Sequence, residues 1–155
     1  MTVYKLSSGM VHSAWTRYTI DINTGNTMTP VLQRTNLLTV ALLEDYKNYS
    51  IRSHQRSMVK DGDPVGYHQK SIEELKANKV DYSFEIEEGR KYYKIVMVNN
   101  QRSVHAFVDK KTGDVYKPAS WKSPAKYVRY NLLDSDSCNE CLKRADWSGG
   151  YLYMA

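Results

Sequence analysis

Residues 115–133 read V-Y-K-P-A-S-W-K-S-P-A-K-Y-V-R-Y-N-L-L, a combination of side chains suited to holding phosphate chains. Lys117, Lys122, Lys126 and Arg129 occur there without an acid, interleaved with Tyr116, Trp121, Tyr127 and Tyr130. Cations spaced along a segment neutralise phosphates, and aromatic rings offer faces on which bases stack; single-strand binders use both. Lysine contacts of this kind position a backbone without reading its sequence, so the binding expected is sequence-tolerant. Lys94 and Arg102, upstream in the same run of positive charge, complete the candidate set. The competing account packs the rings beneath an irregular loop and leaves the lysines merely solvated. Trp121, by its size, is expected to be buried.

The charge balance of the 155-residue chain points to the same stretch. Lys and Arg total 22 against 17 Asp and Glu, a formal net charge of +5. Residues 1–88 carry 10 basic and 11 acidic side chains, and residues 134–155 carry 2 and 4. Residues 89–133 carry 10 basic side chains against Asp109 and Asp114, a net of +8. A single-sign field of that kind attracts polyanions and speeds their encounter. A solvated sheet face with protective lysines would read the same way.

Other groupings carry less chemistry. Cys138-Asn139-Glu140-Cys141 is one C-x-x-C, whereas a structural zinc site needs four ligands, and the histidines at 12, 54, 68 and 105 are scattered. A redox thiolate needs cationic surroundings, but Asp134, Asp136 and Glu140 oppose it, so the cysteines are read as reduced and structural. His105, mid-strand beside Phe107, lacks a partner nucleophile and is read as packed or surface-lying. Asp61/Asp63 and Asp134/Asp136 fit turns and helix starts, while Glu73/Glu74, Glu85 and Glu87/Glu88 fit solvated faces. Gly149-Gly150 lacks the frame of a nucleotide loop. The expectation is a non-enzymatic protein with no cofactor and no metal.

The elements that must position these residues follow from periodicity. Leu, Ile, Val and Phe make up only about a fifth of the chain, near the boundary of disorder, but 13 tyrosines and three tryptophans supply apolar bodies with polar tips. Residues 15–22 alternate with period two, followed by turn chemistry at Asn23–Asn26. From Asn36, with Thr35 or Asn36 as cap, Leu38, Leu42, Tyr46 and Tyr49 repeat at helical spacing. Continued past Ser50, that helix would align Arg52, Arg56 and Lys60 on one stripe, a solvent face or an extension of the basic surface, until Asp61-Gly62-Asp63-Pro64 stops it. Ser71 and Glu74 fit a capping box opening a helix over 71–78.

Residues 80–117 read as four short strands. Val80, Tyr82 and Phe84 alternate with acids, Tyr92–Val98 is β-branched and nearly continuous, and Val104–Val108 follows the Asn99-Asn100 turn. Gly113 provides a left-handed hairpin residue before Val115–Lys117, and Pro118 ends the pairing. Pro118 and Pro124 bracket an irregular segment, Ser135 or Ser137 caps a helix over 138–145, and Tyr151–Tyr153 is a candidate closing strand. The architecture expected is α+β: a four-stranded antiparallel meander over about 80–117, covered by helices from the amino-terminal half. Residues 1–155 are expected to form one domain, with 1–79 and 80–155 as its subparts.

Residues 107–131, F-V-D-K-K-T-G-D-V-Y-K-P-A-S-W-K-S-P-A-K-Y-V-R-Y-N, resemble a motif of small, uncharacterised tailed-bacteriophage proteins, V-D-x-x-T-G-D-V-x-K-P-A-x-W-K-x-P-A-K-x-x-R. The K-P-A-S-W-K-S-P-A-K portion is the specific part, since a strand–Asp–x–x–Thr–Gly–strand hairpin occurs in many sheets. The likeness is dense over about 25 residues, extends loosely over 80–155 and leaves 1–79 without a counterpart. It implies a phage origin and no particular chemistry.

No run reaches the roughly 18 apolar residues of a membrane span, and the first ten residues lack the apolar block of a secretory signal. A soluble protein of the host cytoplasm, or of the virion, is therefore expected. The favoured partner is a polyanion, with nucleic acid the first choice, bound through residues 89–133. The alternatives are an interface with a host or phage protein, as in a virion component, or an inhibitor of a host enzyme.

Overall fold

The computed structural model describes residues 28–153 and the backbone of residues 2–4. The strand and turn expected over 15–26 lie outside the described residues. The order is β1 (Thr2–Tyr4), α1 (Pro30–Asp61), α2 (Tyr67–Lys76), β2 (Ser83–Glu88), β3 (Tyr92–Val98), β4 (Arg102–Asp109), β5 (Asp114–Tyr116), β6 (Tyr130–Asn131) and α3 (Ser135–Arg144). The six strands form one sheet in chain order, every neighbouring pair antiparallel. The α+β class and the meander β2–β5 agree with the sequence reading. The sheet is wider than the four strands expected, because β1 and β6 add an edge on each side.

α1 begins six residues before the expected start. Thr29 is its N-cap, accepting from the Leu32 amide at 3.2 Å, and Pro30 occupies the first turn, where its missing N–H is not needed. Thr35 and Asn36 therefore lie inside the helix, and both are buried. Thr35 donates to the Val31 carbonyl at 2.7 Å instead of capping. Val31, Leu32, Leu38 and Leu42 form the buried stripe of the first half. Tyr46 and Tyr49 continue it into a ring cluster with Tyr82 and Trp147. Arg52, Arg56 and Lys60 are exposed on the second half, which ends at the left-handed Gly62.

α2 also starts earlier than the capping box predicted. The Asp63 carboxylate accepts from the amides of His68 and Gln69, both at 3.0 Å, while Ser71 donates to the Tyr67 carbonyl within the helix. A carboxylate upstream of the helix thus outcompetes the serine hydroxyl for the free amides of the first turn. α3 likewise takes Asp134, not Ser135 or Ser137, as its N-cap. Ser137 is used elsewhere, accepting from the Asn131 amide at 2.8 Å. The closing strand expected at 151–153 is instead a 3-10 turn over Gly150–Leu152.

The two faces of the sheet differ. Phe84, Ile86, Tyr93, Ile95, Ala106, Val108 and Val115 point to the inner face and pack with the first half of α1, α3 and Leu152 in one apolar core. Residues between them point the other way: Glu85, Glu87, Tyr92, Lys94, Val96, Phe107 and Tyr116. Val96 and Phe107 are nonetheless buried, because the segment following β5 folds back over the outer face. Between Ile95 and Val96 the register shifts, Ile95 facing Ala106 and Val96 facing Val104. His105 is the extra residue, and the bulge turns its ring inward, edge-on to Phe84.

Candidate nucleic-acid interface

The outer face is built from a cross-strand row. Glu87, Lys94, Phe107 and Tyr116 lie side by side on β2, β3, β4 and β5. Tyr92, two residues before Lys94, meets Phe107 and Tyr116 edge-on, with ring centroids at 5.7 and 6.1 Å. Over this row lies the loop 117–125. Pro118 and Pro124 form an isolated antiparallel bridge, and the Ala125 amide donates to the Lys117 carbonyl at 2.7 Å. Inside it, the amides of Ala119 and Ser120 donate to the Ser123 carbonyl, and Ser120 Oγ accepts from the amides of Lys122 and Ser123. The prolines hold extended arms, and the serines close a tight tip that presents Trp121.

Lys94 sits beneath that tip and is only 7% exposed. Its Nζ lies 4.3 Å from the Trp121 ring centroid and 5.8 Å from that of Phe107. Among the described residues, no carboxylate pairs with it; Glu87, its cross-strand neighbour, is engaged by Arg102. A cation held between two ring faces keeps part of the attraction lost with water. Beside it is a recess of about 220 Å³. Arg90, Lys91 and Lys122 line its rim, and Lys94, Tyr92 and Phe107 its floor, with no acid lining it among the described residues. Lys91 also lies 5.3 Å from the Tyr92 ring centroid. Asp109, the cross-strand partner of Tyr92, offsets Lys91: burial pushes its carboxyl up, but the amides of Thr112 and Lys111 outweigh that, and with Lys91 nearby it stays below the usual carboxylate range.

Of the residues singled out from sequence, the structure thus brings together Lys94, Trp121 and Lys122. Trp121 is 42% exposed, contrary to the burial expected of it, because the loop tip sets it over the Lys94 ammonium and not within the core. Lys126 and Tyr127 are exposed further along the same segment, Tyr127 with a left-handed backbone. Arg129 is half-buried, and its amide donates to the Val115 carbonyl at 2.7 Å. Lys117 is half-buried with Nζ 4.2 Å from the Tyr153 ring centroid, away from the recess. Arg102 has its guanidinium on Glu85, at 3.3 Å, and on Glu87, so its charge is spent within the sheet. Tyr130 is buried: its pairing with Val115 turns it inward, and its hydroxyl donates to the Tyr151 carbonyl at 3.1 Å. It offers no face to a base.

Arg90, Lys91 and Tyr92 were absent from the set read from sequence. The signal for them was present in Glu88-Gly89-Arg90-Lys91, a hairpin tip between two strand runs, with Tyr92 and Lys94 sharing one face by period two. Lys110 fixes that tip, bonding the Glu88 carboxylate at 2.8 Å and the Gly89 carbonyl at 3.2 Å.

His105 and the two cysteines are buried. His105 Nε2 lies 2.8 Å from the Tyr151 hydroxyl, and burial lowers its pKa to about 4 against the opposing pull of Asp146. Cys138 and Cys141 are free and buried. Burial pushes both thiols up, Cys141 to about 12, so neither is a ready thiolate. Among the described residues no cluster of three or more His, Cys, Asp or Glu could hold a metal ion, and no helix is long and apolar enough to cross a membrane.

No curated protein and no solved structure matches the chain. A family model does, across residues 3–154, and so takes in the amino-terminal part for which the motif in 107–131 has no counterpart. By that match the protein belongs to a family of unknown function, DUF7717.

Proposed function

We propose that the protein is a non-enzymatic, phage-type binder of nucleic acid, taking single-stranded or sequence-tolerant ligands on the outer face of its sheet. The observation that carries this reading is Lys94, buried under the half-exposed Trp121 without a carboxylate partner among the described residues, with Arg90, Lys91 and Lys122 around it. Taking an ammonium out of water is costly unless an anion meets it. Phosphates supply that anion, and the open part of Trp121 supplies a stacking platform. Lys126 and Tyr127 extend the track along the segment toward β6.

Fluorescence anisotropy with single- and double-stranded DNA across a salt series tests it. Binding should weaken linearly in log–log form as salt rises, and Lys122→Glu combined with Lys126→Glu should weaken it further. No affinity at low salt, or indifference to that double substitution, overturns the reading.

A further inference from the structure

We propose that the recess beside Lys94 takes a terminal phosphomonoester, so that the protein grips the phosphorylated end of a strand or a free nucleotide. The inference rests on the nucleic-acid reading and sharpens its ligand. The recess has a floor: Phe107 is 2% exposed and Lys94 7%, both on neighbouring strands of an intact sheet. A continuous backbone therefore cannot thread through it, whereas a chain end or a single nucleotide can enter. Its volume of about 220 Å³ suits a phosphate with part of its sugar and excludes a folded duplex.

Charge supports the same occupant. A phosphomonoester carries roughly −1.5 to −2 at neutral pH and three strong acceptor oxygens, against −1 for each internal phosphodiester. Arg90, Lys91, Lys94 and Lys122 all reach the recess, and no acid among the described residues lines it. Four cations around one small volume exceed what a single diester neutralises. Arg90, Lys91 and Lys122 are exposed and bring charge to the mouth, while Lys94 waits at the base already stripped of water. Trp121, over Lys94, is placed to stack the base next to that phosphate.

The experiment uses the full chain and one short single-stranded oligonucleotide in 5′-phosphorylated, 3′-phosphorylated and hydroxyl-ended forms. Competition by a nucleoside monophosphate, the matching nucleoside and inorganic phosphate completes it. A phosphorylated end should bind on the order of tenfold more tightly than the hydroxyl-ended form. Lys94→Met, close in volume, should erase that preference; Arg90→Gln with Lys91→Gln, both at exposed positions, should reduce it without touching the core. Competition by the monophosphate but not the nucleoside supports a nucleotide-sized site, and a preference confined to oligonucleotides supports strand ends. Equal affinity for all three forms without monophosphate competition overturns the end-binding proposal while leaving sequence-tolerant binding in place. Loss of all oligonucleotide binding with retained monophosphate binding overturns the nucleic-acid reading and leaves the recess a nucleotide site.

Discussion

The ammonium of Lys94 and the indole of Trp121 lie 4.3 Å apart, one on a central strand and the other on a loop 27 residues later. Neither residue is in a usual state for its type. The lysine is buried with no carboxylate paired to it among the described residues, and the tryptophan is half-exposed at a surface. Each explains the other: the ring shields the cation, and the cation gives the ring a face to rest on. The contact also ties the loop 117–125 to β3, so that the basic segment is held against the sheet.

Trp121→Ala should separate stacking from charge. Base–aromatic stacking contributes about 1–3 kcal/mol per base, so affinity for single strands should fall by roughly 5- to 150-fold. The slope of affinity against salt should stay the same, because no phosphate contact is removed. Anisotropy at several salt concentrations checks both, and a lowered slope with unchanged low-salt affinity would refute the stacking role.

Arg102 belongs to the sequence-derived site but should behave as a structural residue. Its guanidinium bridges Glu85 and Glu87, and Glu85 is buried. Arg102→Gln is expected to lower the melting temperature and leave the salt slope unchanged. Lys122→Gln, at an exposed position, should do the reverse and reduce the slope by about 1.

His105 predicts a pH dependence of stability. Its pKa in the folded protein is lowered to about 4 by burial, against 6.5 for the free side chain. The unfolded chain therefore binds a proton first as pH falls. Stability is full above about pH 6.5 and is lost as pH drops through about 4, on the order of 3 kcal/mol over the window. Asp146 favours the imidazolium and limits the loss; Tyr151 and Phe84, whose rings meet the imidazole, remain neutral there. Urea unfolding at a series of pH values should show this slope in the wild type and a flatter one in His105→Gln.

Gly113→Ala should destabilise the fold by more than about 1 kcal/mol. The residue has φ +77°, and an added Cβ would lie 3.0 Å from Leu133 Cγ and 3.2 Å from the Leu133 amide nitrogen. The strain falls on the hairpin between β4 and β5 and on the chain leaving β6. Urea midpoints with an unchanged m-value would check it. A neutral substitution would show that the hairpin relaxes freely.

The meander was legible because its strands combine β-branched runs with turn residues at short intervals. Tyr92–Val98 and Gly113 needed no tertiary information. Helix starts were less legible because several side chains compete for the same free amides. Thr29-Pro30 and Asp63 win over Thr35 and Ser71, whose hydroxyls turn to carbonyls within their helices. In the site, composition located the charge but not its direction. Tyr130 and Tyr127 lie three residues apart in one basic segment, yet strand pairing buries the first and leaves the second 77% exposed. The placement of Trp121 depended on the bridge between Pro118 and Pro124, which folds the loop over the sheet.

Strand order equal to chain order also dictates an order of assembly. β2 to β5 pair with their neighbours across short turns, so each pairing closes a small loop. β1 is different: Thr2 must find Glu88. The entropy of closing a loop grows with its length, so that pairing follows the others. The hairpins therefore serve as the template, and the amino-terminal strand docks last onto an edge that β2 already presents.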